Sequence, residues 1–168
     1  MQTTFLERLN DFAHKLGGDF EDINFGGCCC VSVAFAKHLS QYFPNTKILV
    51  ANYGWASNEA QNLLTLKSHL QSNTLKEWNK NGVYFAHVIV EIECDGITYQ
   101  LDTEEGLVKR TNKAMGQYPI LSGHLSIEEA EQLADDVTGW NARFDRKQLP
   151  RIYATIDKFF RKNKFKLH

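Results

Sequence analysis

The sequence predicts a single α+β domain over residues 1–168, with N-terminal helices packed on a small antiparallel β-sheet and a helix at the C-terminus. Three observations carry this expectation. A chain of 168 residues with 43% hydrophobic and 23% charged side chains suits one core. At that size folding buries roughly 70% of the surface of the unfolded chain, so neither metal nor disulfide is needed for stability. Apolar residues recur at helical spacing near both ends, and two runs rich in β-branched and aromatic residues flank Asp95-Gly96, a strong two-residue hairpin signal.

Taken in order, Met1 to Leu16 reads as an amphipathic helix stopped by Gly17-Gly18, because its charges interrupt what a signal peptide would keep apolar. Asp19 to Gly27 is a polar, glycine-ended loop. A second helix runs from about Cys28 to Phe43 and is closed by Pro44-Asn45, and Lys47 to Tyr53 is a short, continuously apolar strand. Ser57 to Gln71 has a cap and an apolar side formed by Leu63, Leu64, Leu66 and Leu70, so a helix is expected there, followed by a polar loop from Asn73 to Gly82. Val83 to Glu93 and Ile97 to Asp102 form the hairpin. Beyond Gly106 a loop is expected through Tyr118-Pro119, then a helix capped at Ser126, an irregular stretch from Thr138 to Phe144, and a last amphipathic helix from about Gln148 or Pro150 to Lys162. No linker or repeat divides the chain.

Nineteen basic and twenty acidic side chains leave a net charge of −1, which argues against a general nucleic-acid binder. The basic residues gather between Arg143 and Lys166, where only Asp145 and Asp157 oppose them, and such a face is ordinarily solvated. No stretch approaches the roughly 20 apolar residues that span a bilayer. Three of the four cysteines are consecutive, Cys28-Cys29-Cys30, with the fourth at Cys94. That spacing suits neither a secreted disulfide framework nor a zinc site, so free thiols in a reducing, cytoplasmic compartment are expected, with no metal or cofactor.

The chemistry-bearing residues are ordered along the chain. A nucleophilic cysteine works as its thiolate, which the N-terminus of a helix favours through unpaired N–H groups and the macrodipole. Phe25-Gly26-Gly27 followed by cysteines and a long helix supplies that setting, and the glycines allow close backbone approach, which makes Gly27 a candidate substrate contact. At 100° per residue Cys28 shares the apolar side with Phe35, Leu39, Tyr42 and Phe43. Cys29 lies at the edge of that side, and Cys30 shares a side with Lys37 and Gln41, away from the sheet. Cys28 is therefore the first choice and Cys29 the reserve. Strand alternation puts Phe85, His87, Ile89 and Glu91 on one face of the first strand, and Thr98, Gln100 and Asp102 together on one face of the second. The Asp95-Gly96 turn pairs Cys94 with Ile97, which sets His87 and Asp102 diagonally on one face, about 7–8 Å apart along the backbones. His87 is then the candidate base and Asp102 the residue that orients it. A one-residue slip would separate them.

This order of Gly26-Gly27-Cys28 with Ser32 one turn on, His87-Val-Ile-Val-Glu91, and Leu101-Asp102-Thr103 resembles the transglutaminase-like branch of the papain-like cysteine enzymes. The resemblance covers about Phe25 to Gly106. It implies a papain-like/transglutaminase-like core in which Cys28 attacks an amide or thioester carbonyl of a peptide, protein or small acyl substrate. His87 would activate the thiol and Asp102 would steady the imidazole. Arylamine N-acetyltransferases share the arrangement, with an extra domain for which this chain has no room. Two departures stand out: Ile89 holds a place often aromatic, and Asp22 and Asn24 occupy the stretch where papain has its glutamine. Asn24 is accordingly the candidate second oxyanion donor, beside the backbone N–H of the cysteine.

Glu91 and Gln100 share the face of His87 and Asp102 and are candidate lining residues, as is Trp140 near Arg143 and Phe144. His14, His38, His69, His124 and His168 show no partner pattern and read as surface residues. The expected activity is hydrolysis of an acyl bond through an acyl-enzyme. Transfer to an amine and a non-catalytic binding module on the same fold are the alternatives.

Overall fold

A computed structural model describes residues 3–56, 83–94, 96–109, 120–140 and 143–163. Helices α1 (Thr3–Asp19) and α2 (Cys28–Tyr42) are followed by strands β1 (Lys47–Ala56), β2 (Val83–Cys94), β3 (Ile97–Leu101), β4 (Leu107–Lys109) and β5 (Ile120–Leu125). Helices α3 (Ile127–Trp140) and α4 (Leu149–Asn163) complete the fold, α4 entered through a short 3-10 turn at Arg146–Gln148. The expected helix at Ser57 to Gln71, the loop to Gly82 and the one at Tyr118-Pro119 lie outside the described residues.

The strands make one five-stranded antiparallel sheet in the order β4-β3-β2-β1-β5. Its register at the hairpin is that of a two-residue turn, with Cys94 opposite Ile97, Glu91 opposite Gln100 and Val90 opposite Leu101. Gly96 takes the positive φ of 75° that such a turn requires. Period-two alternation then divides the side chains. Val50, Val88, Val90, Ile92, Leu101 and Leu125 point into a core shared with all four helices, among them Leu9 of α1, Phe35 of α2, Ala130 of α3 and Ile156 of α4. His87, Ile89, Glu91 and Gln100 are buried on the opposite face.

The structure corrects the expected elements at four places. α1 does not stop at Gly17-Gly18 but runs through both. A Cβ on Gly17 would lie 2.0 Å from the carbonyl oxygen of Thr103, so that glycine serves close packing against the turn after β3 rather than helix termination. Two strands go beyond the expected elements: β4 falls in a segment expected as loop, and β5 in the stretch between Pro119 and Ser126, for which no element is expected. Both are short and lack clean alternation, and their pairing with β3 and β1 overrides a weak local preference. The stretch from Thr138 to Trp140, expected to be irregular, continues α3. At the other end of α3 the capping box is as expected. The N–H of Glu129 donates to Ser126 Oγ at 3.1 Å, and the N–H of Ser126 donates to Glu129 Oε2 at 2.8 Å. His38 is not a surface residue: it is half-buried, with its ring stacked on Phe160 at 4.8 Å between centroids.

Candidate active site

The entrance to α2 is shaped by its glycines. Gly26 has a φ of 121°, a conformation open to glycine and strained for other residues. Gly27 precedes the first helical residue and offers no side-chain cap. Helical bonding starts with the N–H of Val31 donating to Gly27 O at 3.0 Å, so the N–H groups of the first turn have no helical acceptor. A Cβ on Gly27 would lie 2.6 Å from Ile23 O and 3.0 Å from the Phe144 ring. The missing side chain is what lets that loop and ring close behind the helix start, so Gly27 presents protein, not open space, on that side.

The helix entrance docks on a bare length of β2. Val90 faces Leu101, where β3 ends. In an antiparallel ladder the N–H and C=O of one residue point the same way, so those of Val88, two residues along, point past the end of β3 and find no strand. α2 takes them instead. Ser32 Oγ donates to Val88 O at 2.9 Å, and the N–H of Val88 donates to the Cys28 sulfur. Ser32 and Cys28, one helical turn apart, thus close the strand edge and set the sulfur beside residue 87.

There the three side chains meet. Cys28, His87 and Asp102 are 5%, 2% and 6% exposed. His87 Nε2 lies 3.0 Å from Asp102 Oδ2, and the imidazole is also hydrogen-bonded to the Cys28 sulfur. Since Nε2 is engaged by the carboxylate, Nδ1 is the nitrogen left for sulfur. The other carboxylate oxygen, Oδ1, accepts the N–H groups of Glu104 at 2.9 Å and Glu105 at 2.6 Å.

The electrostatics follow from these partners. Burial raises the Cys28 pKa, but the hydrogen bond and charge of His87, aided by the N–H groups of Val88 and Cys29, lower it, and the lowering wins. For His87 burial acts downward, whereas the hydrogen bond to Asp102 and the hydrogen bond and charge of Cys28 act upward and push it up to about 10. Burial would raise Asp102, yet the hydrogen bond and charge of His87 and the N–H groups of Glu105 and Glu104 hold it below the usual carboxylate range. The shifts all act in one direction, toward a thiolate, an imidazolium and a carboxylate.

Cys29 and Cys30 face α3. The Cys29 thiol donates to Ala130 O at 3.4 Å and that of Cys30 to Ala134 O at 3.9 Å. Burial, then the charges of Cys28 and Cys30, push Cys29 well above a normal thiol. Geometry and charge therefore both favour Cys28 over Cys29. All four cysteines are free thiols.

Of the other residues singled out in the sequence, Asn24 stands against the Asp102 turn, with its Oδ1 accepting the Thr103 hydroxyl. Glu91 and Gln100 are buried and bonded to each other, Gln100 Nε2 donating to Glu91 Oε1 at 2.9 Å. Trp140 ends α3, and its side chain lies outside the described residues. The sequence reading missed His124, taken there as a surface residue. Its Nε2 lies 2.6 Å from Glu91 Oε2, reaching from β5 across Ala51. Only recognition of β5 as a strand would have brought it to this face. Thr103 was quoted for its place after Leu-Asp and not for its contact with Asn24. No helix among the described residues is long and apolar enough to cross a membrane. Compared with models of protein families, with curated proteins and with solved structures, the chain matches none.

Proposed function

We propose that this chain is a cysteine-dependent acyl-bond hydrolase on a papain-like/transglutaminase-like core, working in a reducing compartment. The observation that carries the reading is the closed relay in which one imidazole bonds both the Cys28 sulfur and a buried carboxylate. The Cys28 thiolate attacks an amide or thioester carbonyl, and the oxygen that becomes negative is met by the N–H of Cys28 at the helix entrance. Asn24 Nδ2 is the second donor, since its Oδ1 is already taken by Thr103. As the tetrahedral intermediate collapses, His87 gives its proton to the leaving amine or thiol, and the acyl group stays on sulfur. Neutral His87 then takes a proton from water, whose oxygen attacks the acyl-enzyme; the acid is released and the thiolate–imidazolium pair returns. Asp102 keeps the imidazole in orientation and stabilises its charge throughout. Glu91 and Gln100 lie on the same sheet face as His87, buried and bonded to each other, and close the far end of the site.

Transfer to an amine is the second reading, favoured by the burial of Cys28 to 5% exposure. An acyl-enzyme shielded from water survives long enough to meet another acceptor.

Intact-mass spectrometry with an electrophilic peptide probe, and with amide, thioester and isopeptide substrates, tests the proposal. A single adduct on Cys28 is expected, together with iodoacetamide labelling of Cys28 far ahead of the other thiols, slowed by His87→Ala. Cys28→Ser should abolish the adduct, with a loss of at least about 10³-fold in turnover. Four thiols reacting at one common pace in the native chain would end the enzymatic reading.

A further inference from the structure

The turn after β3 is anchored by groups that take no part in the proton relay. Thr103, 5% exposed, gives its hydroxyl to Asn24 Oδ1. Its carbonyl is seated against Gly17 of α1, where a Cβ would come to 2.0 Å. At the other end of the turn Gly106, with a φ of 72°, rests on Asn10 and His14, and Asn10 Oδ1 accepts the N–H of Leu107 at 2.9 Å.

Followed residue by residue, these contacts form a ring. Asn24 lies four residues ahead of Cys28, a covalent span of at most about 14 Å. From Cys28 the ring passes through the imidazole to Asp102. It steps along one peptide bond to Thr103 and returns to Asn24 through the hydroxyl. Every link but the last is covalent or belongs to the relay.

We propose that Thr103 is a positioning residue: its hydroxyl latches the Asp102 turn to the loop that presents Cys28, and so fixes the spacing of carboxylate, imidazole and sulfur. The inference rests on the reading of the triad given above and adds to it a residue that touches no reacting atom. Neighbouring residues of the turn divide the task, Asp102 facing His87 and Thr103 facing the nucleophile loop. The backbone bonds to Glu104 and Glu105 hold the carboxylate relative to its own turn, whereas the latch holds that turn relative to the sulfur.

The test is the pH dependence of Cys28 alkylation by iodoacetamide, followed by peptide mass spectrometry in the full chain. Thr103→Val keeps the branched shape and removes the donor. It should move the Cys28 midpoint upward by about one pH unit, which is a tenfold loss of rate well below the midpoint with the high-pH plateau unchanged. Thr103→Ser should restore the original midpoint. Asn24→Ala cuts the latch from its other side and should reproduce the valine shift, so the inference does not depend on one variant folding well. Asp102→Asn separates the two levels of the argument. Should Asp102→Asn raise the midpoint while Thr103→Val and Asn24→Ala leave it in place, the latch is wrong and the triad stands. If none of the three moves it, the triad reading falls and takes the latch with it.

Discussion

Cys28 and Cys29 are covalent neighbours, both buried, and the two sides of α2 drive their thiols in opposite directions. On the sheet side Cys28 meets donors: the His87 ring and the N–H groups of Val88 and Cys29. On the α3 side Cys29 meets an acceptor, the carbonyl of Ala130. A donor is best answered by a thiolate and an acceptor by a thiol that keeps its proton. Burial opposes charge in both places; what separates the two sulfurs is that Cys28 has the His87 ring and two N–H donors, whereas Cys29 faces a carbonyl and feels the charges of Cys28 and Cys30. The α3 side shows what burial and neighbouring sulfur charges do to a thiol that donates to a carbonyl.

The largest effect on this contrast should come from Asp102→Asn, which keeps the shape at the end of the relay and removes its charge. Turnover is expected to fall by about 10²–10⁴-fold. The sign of the pH effect follows from the shifts. His87, raised to about 10, is cationic across the neutral range, and its hydrogen bond and charge are what lower the Cys28 thiol against burial. Without the carboxylate the imidazole loses its proton more readily, and the sulfur loses its main cation. Alkylation of Cys28 should therefore slow below its raised midpoint and converge with the parent rate at high pH, once the thiol of the variant has also ionised. A rate–pH profile that superimposes on that of the parent would show that the donors on the backbone, not the relay, make Cys28 acidic.

Much of this contrast was legible before any coordinates. Helical phase placed Cys28 toward the sheet and Cys30 away from it, and the Asp95-Gly96 turn fixed a register that keeps His87 and Asp102 on one face. Those signals are local, a helix period and a two-residue turn, and local signals survive in a single sequence. Phase alone could not decide between Cys28 and Cys29, because the deciding partners come from Val88 and Ala130, each remote in sequence. β4 and β5 escaped for the same reason: a three-residue strand and one carrying Ser122 and Gly123 have little preference of their own and are made by their neighbours. Missing β5 hid His124 behind a surface reading. Gly17 and Gly18 misled in the other direction, since a glycine chosen for close approach looks the same in sequence as one chosen to end a helix.

A smaller effect is expected where the helix is fastened to the sheet. Ser32→Ala would leave the buried C=O of Val88 without its donor. Chemical denaturation should show a loss of about 1–3 kcal/mol, the cost of an unmet buried carbonyl. Because Ser32 and Cys28 hold the same residue of β2, the alkylation rate of Cys28 should fall along with stability. Unchanged stability would mean that Cys28 alone secures the helix entrance, and the sheet side would then owe its thiolate to fewer anchors than the geometry suggests.

The smallest effect should come from the helix side, where the substitution expected to abolish the adduct at Cys28 should be nearly silent. In Cys30→Ser a hydroxyl replaces a thiol whose contact with Ala134 O is long, 3.9 Å. The shorter C–O bond draws the donor back from that carbonyl, while the hydroxyl is the stronger donor, and the two changes oppose each other. The volume lost is small, so stability should move by less than about 1 kcal/mol in either direction. Alkylation of Cys28 should keep its rate and its pH midpoint, because the groups that lower the Cys28 thiol are His87, Val88 and Cys29. A Cys28 midpoint displaced by Cys30→Ser would show that Cys30 acts on the sheet-side sulfur as well as on Cys29, and the donors around Cys28 would no longer account for its acidity by themselves.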